Sequence, residues 1–145
     1  MPVAQTLTFT ESLERFFRSL RRARGRAAQA DAGGLSLAQF QLLDPLAAGE
    51  PLPVGALAEE AGVAAPTATK MLDGLVRAGF VARSAADHDR RVVLIALTAE
   101  GEQALAARRA RVVAARKRIE ARLTREEREQ AAVLLQRLAE AVEEL

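Results

Sequence analysis

The apolar residues of this chain fall on helical stripes along most of its length, broken once by a short β-branched run. Phe9, Leu13, Phe16, Phe17, Leu20 and Ala27 share one stripe, which predicts a first helix from about Thr8 to Asp31, ended by Gly33-Gly34. Arg15, Arg18, Arg22 and Arg26 populate the rest of it. A second helix starts near Ser36, with Leu37, Phe40, Leu43 and Leu46 inward. Asp44-Pro45 kinks it or stops it early, because the residue before proline avoids the α region. Gly49 to Pro53 reads as a loop. A short third helix, Val54 to Glu60, turns Leu57, Ala58 and Ala61 inward and stops at Gly62. The fourth runs from Pro66 to Ala78, with proline in its first turn and Gly79 as the left-handed residue past its end. Ala68, Met71, Leu72, Leu75 and Val76 make its buried stripe, Met71 as filler.

Phe80 to Arg83 reads as a strand that pairs with Val92 to Leu97 across the charged loop Asp87-His88-Asp89-Arg90-Arg91. Thr98 then caps a new helix whose first turn carries Glu100 and Glu102, where the helix dipole favours negative charge. That helix, Ala99 to Leu123, spaces Leu105, Val112 and Ile119 seven residues apart. Thr124 to Glu127 is a capping box that opens a last helix. Its stripe is Ala131, Leu134, Leu135, Leu138, Val142 and Leu145. The fold class expected is mainly α with a small β-hairpin.

A chain of 145 residues is expected to be one domain, or one subunit of a small oligomer. Its five aromatic residues are all Phe, so Leu, Val and Ala must build the core. The absence of cysteine excludes disulfides, thiolate metal sites and thiol redox sensing. The single histidine, His88, cannot assemble a multi-histidine metal site. It reads as an exposed loop residue. No paired carboxylates, phosphate loop or nucleophile with a base can be assembled either. The expectation is therefore no enzyme, no catalytic residue, no metal and no cofactor. No apolar run reaches the ~20 residues of a membrane span, and no basic-then-apolar leader opens the chain. A cytoplasmic protein without a membrane partner is expected.

Helix, turn and helix followed at once by a hairpin is the winged form of the helix-turn-helix. In such a module the start of the second helix enters the major groove. The residues it would offer are Pro66, Thr67, Thr69 and Lys70, with Asp73, Gly74 and Arg77 further along. Threonine hydroxyls and methyls contact base edges or phosphates, and lysine takes a phosphate or guanine. A hairpin tip ending in Arg90 and Arg91 can aim guanidinium groups at phosphates or into a groove. Charge balance argues the other way. Residues 35–98 carry five Lys/Arg against seven acids, whereas residues 1–34 carry six against three and residues 99–145 carry ten against nine. The rival reading is thus a winged helix that binds protein and has no role on DNA. The basic run between Arg108 and Arg122 reads as a solvated face paired with acids of the last helix, such as Glu126, Glu127, Glu129, Glu140, Glu143 and Glu144.

The chain resembles the MarR family of bacterial transcription regulators over nearly its whole length, most sharply over residues 57–101. Leu57-Ala58 and Gly62-Val63 look like the family's third helix and turn. Thr67-Ala68-Thr69-Lys70 through Leu75, then Gly79-Phe80-Val81, look like its recognition helix and exit. Asp89-x-Arg91-x-x-x-Ile95-x-Leu97-Thr98 matches its wing signature. The resemblance implies that Arg91 reaches the minor groove, that Asp89 braces it, and that Thr67, Thr69 and Lys70 contact DNA. It implies a homodimer, with residues 1–34 and 99–145 as a helical dimerisation region and 35–98 as the winged helix-turn-helix DNA-binding module. It implies double-stranded DNA with a pseudo-palindromic operator as partner, and regulation, as a repressor, by a small-molecule effector. Phe16, Phe17 and Phe40 are core by default, or line an effector pocket as in relatives. Two departures stand out. Ala64 and Ala65 occupy the turn where the family often has Ser, and Pro45 breaks a helix that is usually continuous.

Overall fold

The computed structural model describes residues 7–30 and 34–145, without the side chains of residues 28–30. Helix α1 is Phe9–Ala30. Thr8 and Glu11 close a reciprocal cap at its start: the Thr8 amide donates to Glu11 Oε2 at 2.8 Å, and the Glu11 amide to Thr8 Oγ1 at 3.3 Å. The expected end at Asp31 and Gly33 lies outside the described residues. Helix α2 is Leu37–Leu43, opened by a capping box in which Ser36 and Gln39 satisfy each other's amides. Pro45 does what its chemistry requires. The α-helix stops at Leu43, and Asp44–Ala48 continues as a single 3-10 turn.

Strand β1, Leu52–Pro53, corrects the reading of Gly49 to Pro53 as loop throughout. It pairs antiparallel with β3, Val93–Leu97, Leu52 opposite Ile95 and Pro53 opposite Leu94. Two residues give no alternation to read, and Pro51 and Pro53 argue against a strand. At the edge of a sheet, however, the missing proline N–H costs nothing. Helices α3 (Val54–Ala61) and α4 (Ala65–Arg77) follow. Strand β2, Val81–Ala85, takes the other side of β3, from Val81 opposite Leu97 to Ala85 opposite Val93. The sheet is three-stranded, in the order β1-β3-β2. Helices α5 (Ala99–Glu120) and α6 (Arg125–Glu143) complete the chain, and the Thr124–Glu127 capping box opens α6 as expected. The fold is mainly helical with a small hairpin wing.

The described residues form two compact units, one ending at Arg108 and the other comprising Arg109–Leu145. The core of the first is built on α2, α3, α4 and β3: Leu42, Leu43, Leu57, Leu72, Leu75 and Ile95 are fully buried. Phe40 and Leu105 close it. The expected stripes of α2, α3 and α4 all face this core. Elsewhere the apolar stripes are uncovered. Phe16 and Phe17, expected in the core by default, are 55% and 45% exposed. On α6, Leu134, Leu135 and Val142 are equally open, as is Ile119 on α5. Helical periodicity reports which face is apolar, not what covers it, and a single chain supplies no cover here.

Candidate nucleic-acid interface

The turn between α3 and α4 is set by Gly62, whose φ of 65° is left-handed. Its amide donates to Glu59 O at 3.1 Å, and the Val63 amide donates to Ala58 O at 3.0 Å, so the end of α3 is closed within a few residues. Ala64 then starts α4 without a side-chain cap. The alanines that replace the usual polar cap thus leave the first-turn amides of α4 uncapped by any side chain. Such amides suit an anion.

Helix α4 buries Ala68, Leu72 and Leu75 and turns the rest outward. Pro66, Thr67, Thr69, Lys70 and Arg77 are all exposed, as the sequence anticipates, and Asp73 shares their surface. Past the helix, Gly79 takes φ 82°, and the Phe80 amide returns to Leu75 O at 3.0 Å. The start of α5 grips this exit. The Thr98 amide donates to Phe80 O at 3.1 Å. The Thr98 hydroxyl donates to Gly79 O at 2.6 Å and accepts from the Gly101 amide at 3.0 Å. Thr98 is therefore the helix cap expected of it and also the tie between recognition helix and α5.

The wing is the β2–β3 hairpin. Its tip is closed by the Ala86 amide on Val92 O (2.9 Å) and the Val92 amide on Asp89 O (3.0 Å). Asp89 braces Arg91 through three bonds. The Arg91 amide and Nε donate to Oδ1 at 3.0 and 3.1 Å, and a terminal nitrogen donates to Oδ2 at 3.2 Å. The pairing matches the expectation, but its geometric ground differs: both residues lie in the tip turn before β3 begins, not on one strand face. A short carboxylate that bonds the backbone two residues on is the usual Asx turn. The guanidinium so held is 91% exposed, rigid at its root and open at its end. The Arg91 bonds, side-chain first and backbone second, hold the Asp89 carboxyl below its ordinary pKa. Arg90 and His88 are exposed beside it.

One contact of the interface had no sequence expectation. Arg83 on β2 donates a charged hydrogen bond to Asp73 on α4, joining wing to helix. Residues ten apart on different element types obey no local spacing rule, so no sequence signal marks the pair. The three phenylalanines suggested for an effector do not converge. Phe16 and Phe17 are neighbours on α1, their ring centroids 6.0 Å apart, whereas Phe40 is buried in the core. A shallow groove along α1 is lined by Glu11, Glu14, Arg15, Arg18, Ser19 and Arg22 and by none of the three. On α6, Glu129 is taken by Arg125 of its own helix at 3.0 Å, not by the basic run before it. Among the described residues no cluster of three or more His, Asp or Glu side chains is placed to hold a metal ion. No described helix is long and apolar enough to cross a membrane.

A family model described as the MarR family matches residues 35–93, the segment that carries this interface. Among solved structures, the YusO protein from Bacillus subtilis is 30% identical over 90% of this chain and 91% of its own, with a TM-score of 0.68. The transcriptional repressor CouR, solved bound to a 23-mer DNA duplex, is 28% identical over 93% of this chain and 99% of its own, with a TM-score of 0.68. NadR, solved in complex with 4-hydroxyphenylacetate, is 27% identical over 96% of this chain and 98% of its own, with a TM-score of 0.65. No curated protein sequence matches the chain. The match over the helix-turn-helix and wing, with the full-length likeness to YusO, establishes that the chain belongs to the MarR family of transcriptional regulators.

Proposed function

We propose that the chain is a homodimeric, sequence-specific DNA-binding regulator that acts as a repressor and lets go of its operator when a small-molecule effector binds. The observation that carries the reading is the braced Arg91 at the wing tip, on the same small module as an α4 face of Thr67, Thr69, Lys70 and Arg77. Helix α4 enters a major groove, its uncapped first turn and Thr67 against phosphate, Thr69 and Lys70 toward base edges, Arg77 against the backbone. Arg91 enters the flanking minor groove, where a narrow A·T-rich segment concentrates negative potential. Asp89 orients it, and Arg90 takes a phosphate.

The dimer is supported by what one chain leaves bare. Residues 35–98 read DNA, while 1–34 and 99–145 pair with a second copy through stripes such as Leu134, Leu135 and Val142. Two-fold symmetry then imposes a near-palindromic operator with half-sites about 34–36 Å apart. CouR supports repression and NadR supports a small aromatic acid as the kind of effector, each by likeness. An effector acts if it binds better to a dimer whose two α4 helices are wrongly spaced for successive major grooves. Phe16 and Phe17 are the aromatic surface on offer, since Phe40 is sealed in the core. The protein regulates by occupancy and carries out no catalysis.

The test is selection from a random-sequence duplex pool by the purified protein, followed by anisotropy titration of the winner. Recovery of a near-palindrome bound with a steep salt dependence is expected. An unenriched pool, or binding indifferent to salt, would leave the protein-binding winged helix as the better reading.

A further inference from the structure

We propose that Asp73 and Arg83 are a positioning pair that fixes the offset between recognition helix and wing, so that Arg91 meets the duplex once α4 is seated. The proposal rests on the DNA-binding reading above and asks what holds its two contact elements in register.

Asp73 is the one carboxylate on α4, and it falls on the exposed stripe Pro66, Lys70, Asp73, Arg77. A carboxylate there repels phosphate, so its presence on that stripe requires a compensating role. Arg83 donates to it from the middle of β2, where it stands opposite the fully buried Ile95. Both side chains are partly shielded, at 37% and 49% exposure. Among the described residues this is the one side-chain hydrogen bond between α4 and the hairpin. The base of the hairpin is already gripped by Thr98 at Gly79 and Phe80. Beyond Arg83, the strand residues Ser84 and Ala85 are exposed, and the tip follows.

The geometry makes the pair a second fixing point on a lever. Ala85 stands opposite Val93, and Arg91 is two residues before Val93, so Arg91 is about four strand steps past Arg83, roughly 13 Å at 3.3 Å per residue. A swing of about 10° at the pair moves the tip by ~2 Å, which is more than a hydrogen bond tolerates. With both Gly79 and Asp73 holding β2, that swing is blocked. Arg83 thus acts through Arg91 and does not itself bind DNA.

The experiment uses the full chain and a fluorescein-labelled duplex recovered by the wild-type protein from a random pool. Anisotropy is read for Asp73→Asn, Arg83→Gln and the double variant, each also in an Arg91→Ala background, with circular dichroism melts to confirm that the variants fold. Each single change is expected to weaken binding about two- to fivefold, the range of a partly exposed ion pair. The double variant should lose no more than either single, since the two side chains share one interaction. In the Arg91→Ala background all three should cost almost nothing, and Arg83→Gln should leave the salt slope unchanged. Hydroxyl-radical protection should fade in the minor groove under the wing and persist beside α4. Tighter binding by Asp73→Asn would overturn the proposal, because the carboxylate would then only repel phosphate. So would a salt slope reduced by about one in Arg83→Gln with Asp73→Asn neutral, the mark of a direct phosphate ligand. A wild-type protein that recovers no duplex would overturn this proposal and the DNA-binding reading together, whereas the other two results overturn the pair alone.

Discussion

Replacing Gly101 with alanine tests how the wing and recognition helix are mounted. Gly101 is buried in the first turn of α5. A Cβ built there would meet Phe80 O at 1.9 Å, Phe80 C at 2.9 Å and Leu97 Cδ2 at 3.3 Å. Carbon contacts are comfortable at about 3.5–4.0 Å, and the nearest neighbour is backbone, so no rotamer relieves the clash. Either α5 or residues 79–80 must move. Movement strains the Thr98 amide bond to Phe80 O and the Thr98 hydroxyl bond to Gly79 O. Overpacking costs about 1–3 kcal/mol. Two weakened bonds add roughly 1 kcal/mol or more. Alanine returns about 1 kcal/mol of helix propensity. The net loss is about 2–3 kcal/mol, which for a chain of this length lowers Tm by roughly 5–10 °C. Gly55 in α3 is the control: nothing lies within 4 Å of its Cβ position, so Gly55→Ala should gain up to about 1 kcal/mol. Melts at one fixed protein concentration read both changes. Gly101→Ala melting at or above wild type would refute the close seating of α5 on the helix exit.

Three further outcomes are expected. Arg91→Ala should weaken duplex binding by about 1–3 kcal/mol with the fold intact, and an unchanged anisotropy titration would remove Arg91 from the interface. Leu138→Asp should convert a dimer into a 15.6 kDa monomer in sedimentation, because it places a charge in an apolar seam; a surviving dimer would move the seam elsewhere. Asp89 should titrate below 3.8 by NMR and move back toward that value in Arg91→Ala. Its folded pKa is depressed, so the brace is intact above 3.8, throughout the neutral range, and is lost only as pH falls through the lowered value. An Asp89 midpoint at or above 3.8 would mean that Arg91 swings free.

Much of the DNA module was legible because its signals are local. Gly62, Pro66 and Gly79 punctuate α3 and α4 through backbone chemistry that holds in any context. The Ser36, Thr98 and Thr124 caps follow the same logic, and the inward stripes of α2 to α4 found their core. What could not be read is long-range. Strand β1 is two residues whose partner, Ile95, lies far along the chain. The Asp73–Arg83 pair bridges a helix and a strand. Phe16, Phe17 and Leu134 show the third kind of gap. Their spacing marks an apolar face, but cover for it depends on another molecule, which one sequence does not describe. The effector trio failed for a related reason: aromatic identity placed Phe40 with the other two, while helical phase sent it into the core.

The acidic balance of residues 35–98 was the strongest argument against DNA binding, and position within the module answers it. All four acids before α4, namely Asp44, Glu50, Glu59 and Glu60, face no basic residue within residues 35–64. From residue 65 to 98 the balance reverses, with Lys70, Arg77, Arg83, Arg90 and Arg91 against Asp73, Asp87 and Asp89. Two of those three acids are held by arginines, Asp73 by Arg83 and Asp89 by Arg91. Screening limits each charge to a reach of about 8–10 Å in physiological salt, so a phosphate senses the local set and not the sum over the module. The same accounting fixes a number. With Arg83 committed to Asp73 and Arg91 to the groove, Lys70, Arg77 and Arg90 are left for phosphates. Six such contacts in a dimer give a slope of log K against log salt of about −5. A slope near −10 would require cations from outside the module, the arginines of α1 foremost, and would shift the electrostatic footprint from the wing to the terminal helices.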